Sequence, residues 1–197
     1  MYAMLFLSPM RNTSECVARE RSRDRMRREL LTCSECGNPV NANHLIIIDG
    51  RPVCFTCLYG RAKPFQVYPI GVVRKKLRTE EKDLNLQSPE EISCIDLLPS
   101  QRRFMYRLDE EGFLTIVYYL HKSRSVKTVF PRRFDGKEVG VFASRTPHRP
   151  SKLAIQDVRL LEVRGTTLYV SGLDALDQSP VLDIKPKLRN LEILDNG

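Results

Sequence analysis

No stretch of the 197-residue sequence approaches the roughly 20 consecutive apolar residues that a helix needs to cross a bilayer, so no membrane-spanning helix is expected. Met1 to Pro9 is mildly apolar through Leu5, Phe6 and Leu7. It lacks a basic lead segment and a long apolar core, which argues against a secretory signal. Internal repeats and low-complexity runs are also missing, and a hydrophobic share of 42% is too high for a disordered chain. Acidic residues are in deficit. Lysine and arginine number 32 against 24 aspartates and glutamates, giving a net charge of +8 and a pI near 9.3. Such a balance favours polyanionic partners, because each neutralised phosphate releases counterions.

What is present falls into three regions. Residues 1–32 form an arginine-rich tail or short helix, with six arginines between Arg19 and Arg28 interspersed with Glu20 and Asp24. Residues 33–62 carry two cysteine pairs, and residues 65–190 read as the main domain. The main domain is mostly short β-rich runs: Val67 to Val73, Ile92 to Leu98, Leu114 to Leu120, Val139 to Phe142, Leu153 to Val163, Thr167 to Ser171 and Val181 to Ile184. Arg164 and Gly165 join two runs as a hairpin would. Ser100 to Leu108 reads as a short helix with Ser100 as its cap. The fold class is therefore mostly β: a sandwich or small barrel, preceded by a cysteine module and a short helical tail.

Cys33 and Cys36, then Cys54 and Cys57, are each separated by two residues, which lets both thiolates of a pair turn toward one ion. Gly37 follows the first pair, where a tight knuckle needs a permissive backbone. Four thiolates complete a zinc tetrahedron and leave no open position, so the expected role is structural. It would stabilise a module of about thirty residues that is too small to fold on a core alone. A redox dithiol and an iron–sulfur cluster are the competing readings. His44 is not needed as a ligand. Paired cysteines without a secretory signal place the chain in a reducing cytoplasm. Cys16 and Cys94 stand alone, and Cys94 sits in an apolar run, where a buried small hydrophobe is expected.

Two segments of the main domain are unusual for core strands. Gly140 to Pro150 ends an apolar strand in Arg145, His148 and Arg149, stiffened by Pro147 and Pro150. Guanidinium forks on a stiff loop suit phosphate or carboxylate. Gly172 to Pro186 places Asp174, Asp177 and Asp183 among apolar positions. Asp183 needs a partner if buried, with Lys185 one candidate.

These residues carry a resemblance. The runs Pro69 to Arg74, Tyr118 to Ser123, Gly140 to Pro150 and Leu173 to Pro186 resemble, in order, the conserved segments of the TrmO family of S-adenosylmethionine-dependent tRNA methyltransferases. The resemblance implies a small β-barrel that binds S-adenosylmethionine and works as a homodimer. It implies methylation of the exocyclic nitrogen (N6) of a threonylcarbamoyl-modified adenosine beside the tRNA anticodon. Carried over by position, Leu120, His121, Arg145, Ile155, Gln178, Ser179, Pro180 and Val181 form the cofactor pocket. Asp177 and Asp183 are candidate bases for the proton lost by the accepting nitrogen. Arg132, Arg133 and Arg149 are candidates for holding tRNA phosphates.

Departures from the family pattern stand beside the matches. Where the family continues Arg-Pro with Asn-Pro-Ile-Gly, this chain has Ser151, Lys152, Leu153 and Ala154. Its closing loop reads Asp177, Gln178, Ser179, Pro180 instead of Asp-Gly-Thr-Pro, and Lys187 stands where a tyrosine usually follows Lys-Pro. No counterpart of the family's Gln-Pro-Gly-like cofactor loop is evident between Arg74 and Pro89. The changes at Ser151 and Gln178 support a second reading, an RNA-binding barrel that has lost methyl transfer.

Overall fold

The computed structural model describes residues 30–75, 92–132 and 135–187. Most of the arginine-rich tail, Cys16, Arg133 and nearly all of the segment between Arg74 and Pro89 lie outside the described residues. The chain divides into two compact units, Met1–Lys63 and Pro64–Gly197.

The first unit holds two small antiparallel ladders. β1 (Leu30–Thr32) pairs with β2 (Pro39–Asn41), and β3 (Leu45–Ile48) pairs with β4 (Arg51–Cys54). Gly50, at φ 80°, turns β3 into β4. A five-residue helix, α1 (Phe55–Tyr59), follows directly and ends at Gly60, whose N–H bonds the Thr56 carbonyl at 2.9 Å.

The second unit is a closed six-stranded barrel. Its strands are β5 (Gly71–Arg74), β6 (Ile92–Leu97), β7 (Phe113–Tyr119), β10 (Leu153–Arg164), β11 (Thr167–Ser171) and β12 (Pro180–Pro186), in the circular order β10-β11-β6-β5-β12-β7. A separate hairpin of β8 (Val129–Pro131) and β9 (Glu138–Gly140) branches from it. β7 alternates as the period-two pattern demands. Leu114, Ile116 and Tyr118 point inward, and Phe113, Thr115, Val117 and Tyr119 are more exposed. Inward residues of all six strands, among them Val73, Ile95, Leu114, Ile116, Val158, Leu168, Val170 and Val181, make one core. Each large aliphatic side chain there contributes about 1.5–3 kcal/mol through burial. β10 closes the circle. Its first half pairs with β7, its second half with β11, and a bulge between Leu160 and Glu162 bends it. Gly71 lies flat against β6: a Cβ there would sit 2.5 Å from the Asp96 carbonyl oxygen.

Several elements depart from the expectations. The segment after Leu98 is a 3-10 helix, Pro99–Phe104, not a helix capped by Ser100. Proline at its start leaves Leu98 as N-cap, with no side-chain cap bond. β8 was not anticipated, being three residues long and ending in proline. Ile70 and the residues before it are irregular, so β5 begins at Gly71. The Arg164–Thr167 hairpin is as expected, with Gly165 at φ 62°.

Candidate cofactor site and cysteine cluster

In the first unit the backbone brings four thiols to one point. The Sγ atoms of Cys33, Cys36, Cys54 and Cys57 all lie within 4.8 Å of one another. The Cys33–Cys57 and Cys36–Cys54 separations are each 3.9 Å. A zinc tetrahedron with bonds near 2.3 Å has edges of about 3.8 Å, so this spacing matches a four-thiolate metal site. Gly37 makes the knuckle at φ 72° and donates to the Cys33 carbonyl at 3.0 Å. The Cys54 N–H points at the Cys33 sulfur at 3.3 Å, and Cys57 N–H at the Cys54 sulfur at 3.4 Å. Backbone N–H groups, that of Cys36 first, lower the Cys33 thiol to about 6, while the neighbouring thiols Cys54 and Cys36 push Cys57 up. No other set of three or more candidate ligands occurs among the described residues. His44 is exposed, its ring 6.3 Å from that of Phe55.

In the barrel unit, registry brings distant segments to one end. β7 runs out at Tyr119 into Leu120 and His121, and β12 starts at Pro180. Val181 pairs with Tyr118 on one side and Gly71 on the other. The turn before β12 is therefore held by two strands. Gln178 N–H donates to the Val73 carbonyl at 2.7 Å, and Val73 N–H donates to the Ser179 carbonyl at 2.9 Å. Asp177 accepts the Lys75 N–H at 3.0 Å. The Ser179 hydroxyl, 2% exposed, lies 3.4 Å from His121 Nδ1. Leu120 N–H donates to the Lys152 carbonyl at 2.8 Å, which adds the start of β10 to the cluster.

Six of the eight expected pocket residues (Leu120, His121, Gln178, Ser179, Pro180 and Val181) thus share one barrel end. Val181 is fully buried, so toward a ligand it offers backbone only. Ile155 stands opposite Val117 on the outward row of β10 and is 60% exposed. Arg145 is exposed on the preceding loop, and its charge helps hold the Asp157 carboxyl below the usual range. The larger causes there are hydrogen bonds from Thr115 and Lys187. Asp183 pairs with Lys185 at 2.7 Å beside Val117, on the outward face.

Of the three arginines expected to hold phosphate, Arg133 lies outside the described residues, and Arg132 and Arg149 are engaged within their own loops. Arg132 pairs with Asp135. Arg149 donates to the carbonyls of Thr146 at 3.1 Å and Ser144 at 2.6 Å. His148 Nδ1 lies 3.1 Å from the Ser125 hydroxyl. Arg74, which the sequence did not mark as special, forks Asp96 at 2.7 and 3.1 Å and ties β5 to β6 near the site.

Two departures from the family pattern acquire a physical meaning. Gln178 sits at φ 64°, a left-handed conformation that glycine adopts without strain. Lys152 sits at φ 52°, which proline cannot reach, so a proline here would need a different loop path.

The family model of the tRNA-methyltransferase O N-terminal domain matches residues 81–193. A Methanothermobacter thermautotrophicus protein described as a probable S-adenosyl-L-methionine-binding protein is 39% identical over 132 residues, which is 66% of this chain and 94% of that one. A Mus musculus tRNA (adenine(37)-N6)-methyltransferase is 36% identical over 92 residues, 45% of this chain and 21% of the mouse protein. A crystal structure of TrmO superposes with a TM-score of 0.52 at 27% identity, covering 68% of this chain and 62% of that one. The chain thus spans about a fifth of the mouse enzyme and less than two thirds of the solved TrmO chain.

Proposed function

This chain belongs to the family of tRNA-methyltransferase O N-terminal domains, and on that premise we propose that it is an S-adenosylmethionine-dependent tRNA methyltransferase acting on N6 of the adenosine beside the anticodon, in its threonylcarbamoyl-modified form. The observation that carries the reading is the His121–Ser179 pair, which joins the end of β7 to the Gln178-Ser179-Pro180 turn across 58 residues of sequence.

The residues at this barrel end fit the cofactor by their chemistry. His121, Gln178 and Ser179 offer ring, amide and hydroxyl groups for its polar parts; Arg145, on the loop before β10, is the guanidinium assigned to its carboxylate. When bound, the cofactor supplies an activated methyl group. The chain's own task is alignment, since in-line transfer depends mainly on holding donor and acceptor in register. The turn is suited to that, being pinned through backbone bonds to β5 on one side and through Ser179 to His121 on the other. Asp177 lies at this mouth, so it is the better placed of the two aspartates to accept the proton lost by the amine. Asp183 serves as an outward ion-pair partner. Leu120, Pro180 and the backbone of Val181 wall the site. Ile155 on the outward row of β10 belongs with a second copy of the chain in a homodimer.

The non-catalytic reading has less support. Its argument rested on Gln178 and Ser151, and Gln178 keeps the left-handed turn that a glycine would make. We further propose that Cys33, Cys36, Cys54 and Cys57 hold one structural zinc, and that the protein works in the cytoplasm. Calorimetric titration with S-adenosylmethionine tests the cofactor site. Binding in the micromolar range, weakened tenfold or more by Arg145→Ala or His121→Ala, is expected. Undetectable binding to the intact chain would remove the methyltransferase assignment.

A further inference from the structure

Arg132 and Arg149, two of the three arginines expected to grip RNA, are tied into their own loops, while a different segment presents unengaged ones. Between β6 and β7, residues 98–107 read Leu98, Pro99, Ser100, Gln101, Arg102, Arg103, Phe104, Met105, Tyr106 and Arg107: three arginines, two aromatic rings and no acid. The Phe104 ring is 75% exposed and the Tyr106 ring 89%. Arg102 and Arg103 are exposed as well, and among the described residues neither guanidinium has a hydrogen-bond or ion-pair partner. Arg107 is occupied, forking Glu110 at 2.8 and 2.5 Å.

The segment is not a loose tip. Leu98 N–H donates to the Ile70 carbonyl at 2.9 Å, and the 3-10 turns are closed by Gln101 to Leu98, Met105 to Arg102 and Leu108 to Met105. From below, Met105 and Leu108 pack against the barrel core. Anchors at 105 and 108 thus fix the rings at 104 and 106 in outward positions. Holding rings this exposed in water has no benefit for folding, since burial of a ring is what stabilises.

We propose that Phe104 and Tyr106 form a stacking platform for unpaired bases of the RNA substrate, with Arg102 and Arg103 contacting the adjoining phosphates. Aromatic plates beside unpaired cations are what single-stranded nucleic acid requires, because every base has a face to stack and every nucleotide a phosphate to neutralise. A protein partner fits less well. Rings that expose nearly all their surface stand as separate plates, whereas a protein interface needs a contiguous packed patch. The inference rests on the tRNA reading above and adds where the RNA is held. The platform lies on the connection from the end of β6 to the start of β7, whereas His121 follows the end of β7 and Ser179 precedes β12. The platform's side chains are none of those assigned to the cofactor, so the contact is a grip on the RNA and not part of the reacting centre.

The test measures the affinity of the full chain for a labelled tRNA transcript, with cofactor binding followed separately by calorimetry. Phe104→Ala with Tyr106→Ala is expected to weaken tRNA binding by about tenfold per ring and raise KM for tRNA, leaving kcat and S-adenosylmethionine affinity unchanged. Tyr106→Phe retains binding. Arg102→Ala with Arg103→Ala flattens the plot of log affinity against log salt by about one to two. Wild-type tRNA affinity in the double aromatic variant overturns the proposal. So does a changed oligomeric state with unchanged RNA affinity, which would assign the loop to a protein contact. Loop-dependent tRNA binding without cofactor binding would uphold the platform and sink the methyltransferase reading. Cofactor binding without tRNA binding would sink the platform and leave standing only the cofactor site of the reading above.

Discussion

Gln178 shows how one side chain records a constraint. Its left-handed backbone costs an L-residue roughly 1–2 kcal/mol, against which glycine loses about 0.4–1 kcal/mol through its freer unfolded chain. Gln178→Gly is therefore expected to stabilise the barrel by up to ~1 kcal/mol, read as a rise in Tm. An unchanged or lower Tm would mean that the glutamine side chain compensates for its own backbone. The strain was not legible from composition, because a non-glycine residue at positive φ leaves no signature in its own identity. Only the resemblance, with glycine at the equivalent place, pointed to it. The Ser179–His121 pair was hidden for a related reason: the contact joins residues 58 positions apart, and strand registry alone brings them together.

At the scale of elements, alternation and punctuation carried much of the information. The inward Leu114, Ile116 and Tyr118 of β7 and the Gly165 hairpin follow from period-two patterning and turn chemistry. The pattern misled where proline rules. Pro99 took the first helical position and displaced Ser100 from the cap, and Pro131 hid the three-residue β8. The cysteine knuckles were the most readable element, since two-residue spacing and Gly37 specify their geometry almost alone. Their ladders are three and four residues long and bury little, so their stability is expected to come from metal. One zinc per chain by elemental analysis is expected, lost in Cys33→Ser. Chelation should raise amide exchange across residues 30–63. A metal-free protein with unchanged exchange there would refute the structural role.

For the molecule as a whole, the barrel's centre includes one titratable ring. Tyr118 is 5% exposed, its hydroxyl donating to the Asp174 carbonyl at 3.2 Å. Burial, and then the Asp174 charge, raise its pKa above the ordinary tyrosine value. The folded form thus holds this proton more tightly than the unfolded chain. The stability it contributes is complete below about pH 10 and is lost as the pH climbs through the folded value. Alkaline unfolding should begin at a higher pH in Tyr118→Phe than in the wild type, as followed by circular dichroism. Coincident curves would show that other groups govern the alkaline limit.

Each of the six barrel strands is bonded to a neighbour on both sides. Each strand is paired on both sides for only part of its length, but closure leaves none with a whole edge open to an extended peptide or free to exchange with another copy. Recognition by the barrel must therefore be written in loops and outward side chains, which can change chemistry from one relative to another while the closed cylinder stays intact.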